Sequence, residues 1–151
     1  MAAALRILSR RARSEQELRQ ALERKGFIPE QIEPVLARCR ELGYLDDAAF
    51  ALERARGLMR SGRGTGPRVI ATLQRQGVDK AQAETALEAA RGDYPEADLL
   101  RCLLERRFPD FEMQTAGEAE RRKLINFFLR RGFALSLILD TLNRREADDR
   151  P

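Results

Sequence analysis

Apolar residues recur along the chain at spacings of three and four, and the stripes they form stop at glycine. Leu18, Ala21, Leu22 and Lys25 share one face before Gly26, and Ile32, Val35, Leu36 and Cys39 share one before Gly43. This period of 3.6 belongs to amphipathic helices, and no stretch keeps up the period-2 alternation of a half-buried strand. A glycine just past each stripe supplies the positive φ that ends a helix. The pattern predicts an all-α chain.

Three segments superimpose: LRQALERKGFIPEQIEPVL from Leu18, VIATLQRQGVDKAQAETAL from Val69 and LINFFLRRGFALSLILDTL from Leu124. Eight residues before the glycine stand Leu18, Val69 and Leu124, and four before it stand Leu22, Leu73 and Phe128. The residue after Gly26, Gly77 and Gly132 is Phe27, Val78 or Phe133, and ten after it comes Leu36, Leu87 or Leu142. The glycines lie 51 and then 55 residues apart. That exceeds the roughly 34 residues of a two-helix repeat and suits three helices. A further helix precedes each pair, near 2–13, 46–60 and 96–107. The expected architecture is three tandem three-helix repeats, 1–45, 46–92 and 93–151, stacked as an elongated, curved array whose hand the pattern does not predict.

Start signals fit that frame. Ser14 with Glu17, and Thr115 with Glu118, have the spacing of a capping box. Pro67 after Gly66 suits the first position of the fifth helix, and Asp79 suits the cap of the sixth. Pro34 falls inside the third helical pattern and implies a late start or a bend near Glu30.

The stretch GYLDDAAF (43–50) offers adjacent carboxylates that could in principle hold a metal. As N-cap, Asp46 accepts a first-turn N–H, and Asp47 follows at N1, where the helix dipole favours negative charge. Leu45 and Phe50 then occupy the positions of a hydrophobic staple. No nearby Cys, His or third acid completes a metal site. The pair reads as a helix start.

Composition narrows the function. The chain has 151 residues and no histidine, which excludes a Ser-His-Asp triad or a Cys-His pair. SGRGTGPR (61–68) lacks the GxxxxGK[ST] spacing of a phosphate loop and follows no strand. No apolar run approaches the roughly 18 residues of a membrane span, and the N-terminus lacks the apolar length of a secretory signal. Cys39 and Cys102 lie in helical apolar patterns and read as two buried free thiols of a reducing compartment, with a disulfide as the alternative. No enzyme, cofactor or metal is expected.

The formal net charge is +4, and 25 of the 28 basic residues are arginine. Arginine suits bidentate contact with carboxylate and phosphate. The positive excess lies in the first two repeats. Arg56, Arg60, Arg63 and Arg68 surround a glycine-rich loop at a helix N-terminus, a setting able to engage a phosphate or an acidic side chain. The simpler alternative is a solvated loop. Arg130 and Arg131 precede Gly132, where the helix dipole alone accounts for them. The tyrosines and phenylalanines hold core-like positions rather than forming an exposed stacking platform.

The chain resembles the bacterial RecX regulatory proteins. ALRILSRRARSEQELRQALERKGF (4–27) resembles that family's N-terminal repeat, and ELGYLDDAAFALERARGLMRSGRGTGPRVIATLQRQGV (41–78) resembles its most recognisable stretch. LLRCLLERRF (99–108) and KLINFFLRRGF (123–133) are similar to its third repeat. Ala134 departs from the polar cap usual after RRGF. The resemblance implies a cytoplasmic protein with no enzymatic activity or cofactor, acting in recombinational repair and the SOS response. It implies binding to the RecA recombinase and its filaments on DNA, with inhibition of ATPase and strand exchange. DNA would then be a secondary partner, and neither a membrane nor a small-molecule substrate is implied. The candidate contact residues are Arg56, Arg60, Arg63, Arg68, Arg130 and Arg131. The second reading is an autonomous DNA-binding protein of helix-turn-helix-like modules. That reading calls for a recognition helix with polar side chains for base edges, and no second or third helix stands out in that way.

Overall fold

The computed structural model describes residues 1–148 and 150, and among them the chain forms nine α-helices and no strand. They are α1 (Ala2–Leu8), α2 (Glu15–Arg24), α3 (Pro29–Glu41), α4 (Asp47–Arg60), α5 (Gly66–Arg75), α6 (Lys80–Asp93), α7 (Glu96–Arg107), α8 (Glu118–Arg130) and α9 (Leu135–Asp148). They build three separate cores. Leu18, Leu22, Ile32, Leu36 and Cys39 close the first, with Ala4 and Ile7 from α1. Phe50, Met59, Val69, Leu73 and Leu87 close the second. Leu100, Leu104, Leu124, Phe128, Ile138 and Leu142 close the third. The apolar positions at minus eight, minus four and plus ten from each glycine are thus all buried. Leu99 packs against both the second and third cores and links them.

The chain exposes 9457 Å² at 17.2 kDa. A compact monomer of that mass exposes about 7,800 Å². The excess is what a row of small cores produces, because each repeat touches only its neighbours.

The two seams between repeats share a geometry. At the first, the hydroxyl of Ser14, the N-cap of α2, donates to the carbonyl of Gln76, just before Gly77. At the second, the N–H of Thr65, the N-cap of α5, donates to the carbonyl of Arg131, just before Gly132, at 2.8 Å. Both N-cap residues are fully buried. Ser14 also accepts the N–H of Glu17, whose carboxylate returns to the Ser14 N–H, which closes the capping box.

Several expectations need correction. Helix α1 stops at Leu8 rather than near Arg13, where the Ser9 hydroxyl bonds back to the Arg6 carbonyl at 2.9 Å and competes with the helical ladder. Helix α3 does not start late. It begins at Pro29, whose φ suits a first helical position, and runs on through Pro34. Pro67 sits one position inside α5, since the helix starts at Gly66. Thr115 does not cap α8. The helix begins at Glu118 behind Gly117, and the Thr115 hydroxyl pairs with Glu112 at 3.3 Å instead. Leu45 and Phe50 are both buried, but in the first and second cores respectively, so they flank the joint rather than forming a staple. Cys39 is buried, whereas Cys102 is exposed, because it lies off the buried face of Leu100, Leu103 and Leu104. Both thiols are free. Phe27 and Tyr44 are exposed rather than core-like. The tail EADD (146–149) begins inside α9, which runs to Asp148, and Asp149 lies outside the described residues.

Candidate functional site

The loop between α4 and α5 turns tightly because it must fit under the third repeat. A Cβ added to Gly66 would sit 2.8 Å from the Gly132 carbonyl oxygen. One added to Gly132, at φ +97°, would run into the Thr65 carbonyl. Two glycines therefore let two main chains touch. The Thr65 hydroxyl donates to Glu96 Oε1 at 2.6 Å, and Arg91 Nε donates to the same oxygen at 2.9 Å. The N–H, carbonyl and hydroxyl of Thr65 are thus all satisfied where it is buried.

This contact carries Arg131 onto the loop. Its Nη1 donates to the Gly62 carbonyl at 2.6 Å, and its guanidinium carbon lies 4.2 Å from the centre of the Phe127 ring. Burial holds the Arg131 guanidinium below its ordinary value, and Arg107, Arg68, Arg106 and Arg130 push it further the same way. Arg68 from α5, Arg106 and Arg107 from α7 and Arg130 from α8 thus all act on the charge of Arg131 at this seam, five arginines in all. None of the five forms an ion pair among the described residues. Like charges without a carboxylate partner raise the local positive potential. Beside them, Pro67, Leu129, Phe133 and Ala134 wall an apolar notch flanked by Arg68 and Arg130.

The candidate residues therefore divide. Arg68, Arg130 and Arg131 come together. Arg56 is already paired, with Glu53 at 2.9 Å and Asp93 at 2.8 Å, and these partners raise its pKa. Arg60 reaches the Tyr94 hydroxyl at 3.5 Å, and Arg63 is exposed. The sequence reasoning missed Arg106 and Arg107. They end α7 as Arg130 and Arg131 end α8, and a charge census by helix end would have found them.

The acidic pair belongs to the framework. Asp46 accepts the Ala49 N–H at 3.1 Å and caps α4. Asp47 is the first residue of α4, and its Oδ1 accepts the Glu15 N–H at 2.9 Å. No group of three or more Cys, Asp or Glu side chains placed to hold a metal occurs among the described residues. No helix among them is long and apolar enough to cross a membrane.

Residues 1–39 match the family model for the first three-helix domain of RecX. Over 135 residues the chain is 45% identical to the regulatory protein RecX of Syntrophotalea carbinolica, covering 89% of this chain and 88% of that protein. The chain belongs to the RecX family. It is also 33% identical over 136 residues to the RecX protein of Trichlorobacter lovleyi, covering 90% of this chain and 88% of that one. In fold it is similar to the crystal structure of RecX from Lactobacillus salivarius, with a TM-score of 0.80 and 20% identity over 97% of this chain and 94% of that one. A second RecX crystal structure matches with a TM-score of 0.73 at 23% identity, over 92% of this chain and 70% of that one. The RecX family is one of regulatory proteins, and the all-helical array seen here agrees with the RecX fold.

Proposed function

We propose that this chain binds the RecA recombinase and its nucleoprotein filament, and that it inhibits ATP hydrolysis and strand exchange as a cytoplasmic regulator of repair and the SOS response. It does so by binding alone, without chemistry of its own. The observation that carries this reading is the seam of Arg68, Arg106, Arg107, Arg130 and Arg131 beside the apolar notch at Leu129. Arginines next to apolar surface are the usual makings of a protein-binding hot spot.

The test is recombinase ATPase on single-stranded DNA with this chain added at substoichiometric ratios. Inhibition is expected, together with co-sedimentation with filaments. An Arg68→Ala/Arg130→Ala variant should keep its helical circular dichroism and inhibit at least about ten-fold less well, since each lost hot-spot arginine costs roughly 1–2 kcal/mol. Failure of the parent protein to inhibit or co-sediment overturns the reading. Normal inhibition by the variant removes the seam from it.

A further inference from the structure

The third repeat differs from the other two in the link between its first two helices. Residues 9–14 join α1 to α2 and residues 61–65 join α4 to α5, whereas the longer stretch 108–117 joins α7 to α8. This longer link does not loop out into solvent. Phe111 and Ala116 within it are buried in the third core. Arg145 of α9 donates from Nη2 to the Pro109 carbonyl at 2.9 Å and from Nη1 to the Phe108 carbonyl at 3.4 Å. Arg121 of α8 donates to the Met113 carbonyl at 2.6 Å. Two helices thus tie the link down.

Between the link and the C-terminal half of α9 lies a cavity of about 310 Å³. Small-molecule sites begin at roughly 300 Å³. Phe111, Met113 and Leu142 give the cavity an apolar wall, and Glu112 and Glu146 bring carboxylates to it. The Glu146 Oε1 atom is buried and has no hydrogen-bond partner among the described residues. Neither carboxylate forms an ion pair among them. A buried acceptor without a donor is costly, which is why such atoms are almost always paired in folded proteins. Two arginines share the lining. Arg145 gives both of its Nη groups to carbonyls of the link. Arg150 is exposed, so solvent and salt screen its charge. The unmet need of the cavity is a hydrogen-bond donor beside apolar surface.

We propose that this cavity binds a small amphipathic amine. The apolar ring or chain of the ligand lies against Phe111, Met113 and Leu142, and its ammonium donates to Glu146 Oε1. Glu112 adds a second negative charge to the same cavity. A bound amine joins the link to α9, so it stabilises the folded third repeat. The site shares no residue with the arginine seam between the second and third repeats, and it does not depend on recombinase binding.

The experiment follows the methionine methyl groups of the full chain by carbon-13 NMR. The probes are phenethylamine and its neutral counterpart, phenethyl alcohol. Met113 lines the cavity, whereas Met59 is fully buried in the second core. The Met113 signal, identified by its loss in Met113→Leu, should shift and saturate with the amine while the Met59 signal stays. Phenethyl alcohol should bind at least about ten-fold more weakly, because it cannot make the hydrogen bond between two charged groups. Glu146→Gln should weaken the amine at least about ten-fold and leave the alcohol within about two-fold, a split that a loosened cavity does not produce. Arg150→Ala should leave the amine unchanged or bind it more tightly, since it removes a like charge. A Met113 signal that stays still at millimolar amine overturns the proposal. So does equal affinity for amine and alcohol, undiminished amine binding in Glu146→Gln, or weaker binding in Arg150→Ala. The comparison of amine with alcohol uses the unaltered chain, so it decides even where Glu146→Gln fails to fold.

Discussion

The carboxylate of Asp47, at the start of α4, accepts the backbone N–H of Glu15, at the start of α2, at 2.9 Å. One acidic side chain thus sits at the first position of its own helix and also serves a first-turn N–H of a helix in the repeat before it. Burial is the main cause that raises the Asp47 pKa, and the charges of Glu15, Asp46 and Asp79 act the same way, against the lowering effect of the Glu15 N–H. The charged form is therefore less favoured in the folded chain than in the unfolded one. Stability from this group is fully present below the ordinary carboxylate value and is lost as pH rises through the folded value. Asp47→Asn keeps an oxygen acceptor and removes the charge. Urea unfolding should show Asp47→Asn at its greatest advantage over the parent near pH 7, shrinking to nothing below the ordinary carboxylate range. An advantage that grows on acidification would contradict the sign.

Asp46 does a simpler job. Its Oδ1 caps α4 through the Ala49 N–H. Asp46→Ala should cost about 1 kcal/mol in urea unfolding, or roughly 2–4 °C of Tm for a chain of this size. The recombinase inhibition proposed above should be unchanged in the folded fraction.

Gly132 and Gly26 allow an internal comparison. Both hold positive φ, at +97° and +93°, but an added methyl meets the Thr65 carbonyl at one and nothing at the other. Gly26→Ala should cost only the backbone strain, about 1–2 kcal/mol. Gly132→Ala should cost at least about 1 kcal/mol more, since the second and third repeats must part to admit the methyl. Equal losses in chemical denaturation would mean the seam contact contributes little.

Phe128 is fully buried, with its ring centre 6.0 Å from Phe108, 5.2 Å from Phe127 and 5.7 Å from Phe133. Phe128→Ala should cost about 3–5 kcal/mol. Hydrogen exchange should locate the loss mainly in α7 to α9, because that core is separate from the other two.

The two thiols should differ in reactivity. Cys102 is exposed, whereas Cys39 is buried and its pKa is raised by that burial. A thiol reagent under native conditions should modify one sulfur quickly, and the second only on unfolding. Rapid modification of both would place Cys39 in an opening part of the first repeat.

Much of the fold was legible because each repeat states its rules locally. The stripes before Gly26, Gly77 and Gly132, and the leucines ten residues on, need no information from elsewhere in the chain. What stayed hidden depends on neighbours. Phe27 reads like Val78 and Phe133, yet it is exposed, because none of the described residues packs over the turn at Gly26. Thr115 and Glu118 have the spacing of a capping box, yet the turn ahead of α8 ends two residues later. In the candidate site, the stretch 56–68 announced its arginines but not their fates. Asp93 lies 37 residues beyond Arg56, and the convergence of Arg68 with Arg107 and Arg131 exists only once two repeats have stacked.

The second seam has a consequence for divergence. Where Thr65 meets Arg131, main chain meets main chain, with glycine beneath. A joint built from atoms that every residue shares sets the angle between repeats without asking much of the side chains. The surface around it is then free to change its charges over evolutionary time while the spacing between repeats stays put, as a hinge plate keeps two doors aligned however often they are repainted.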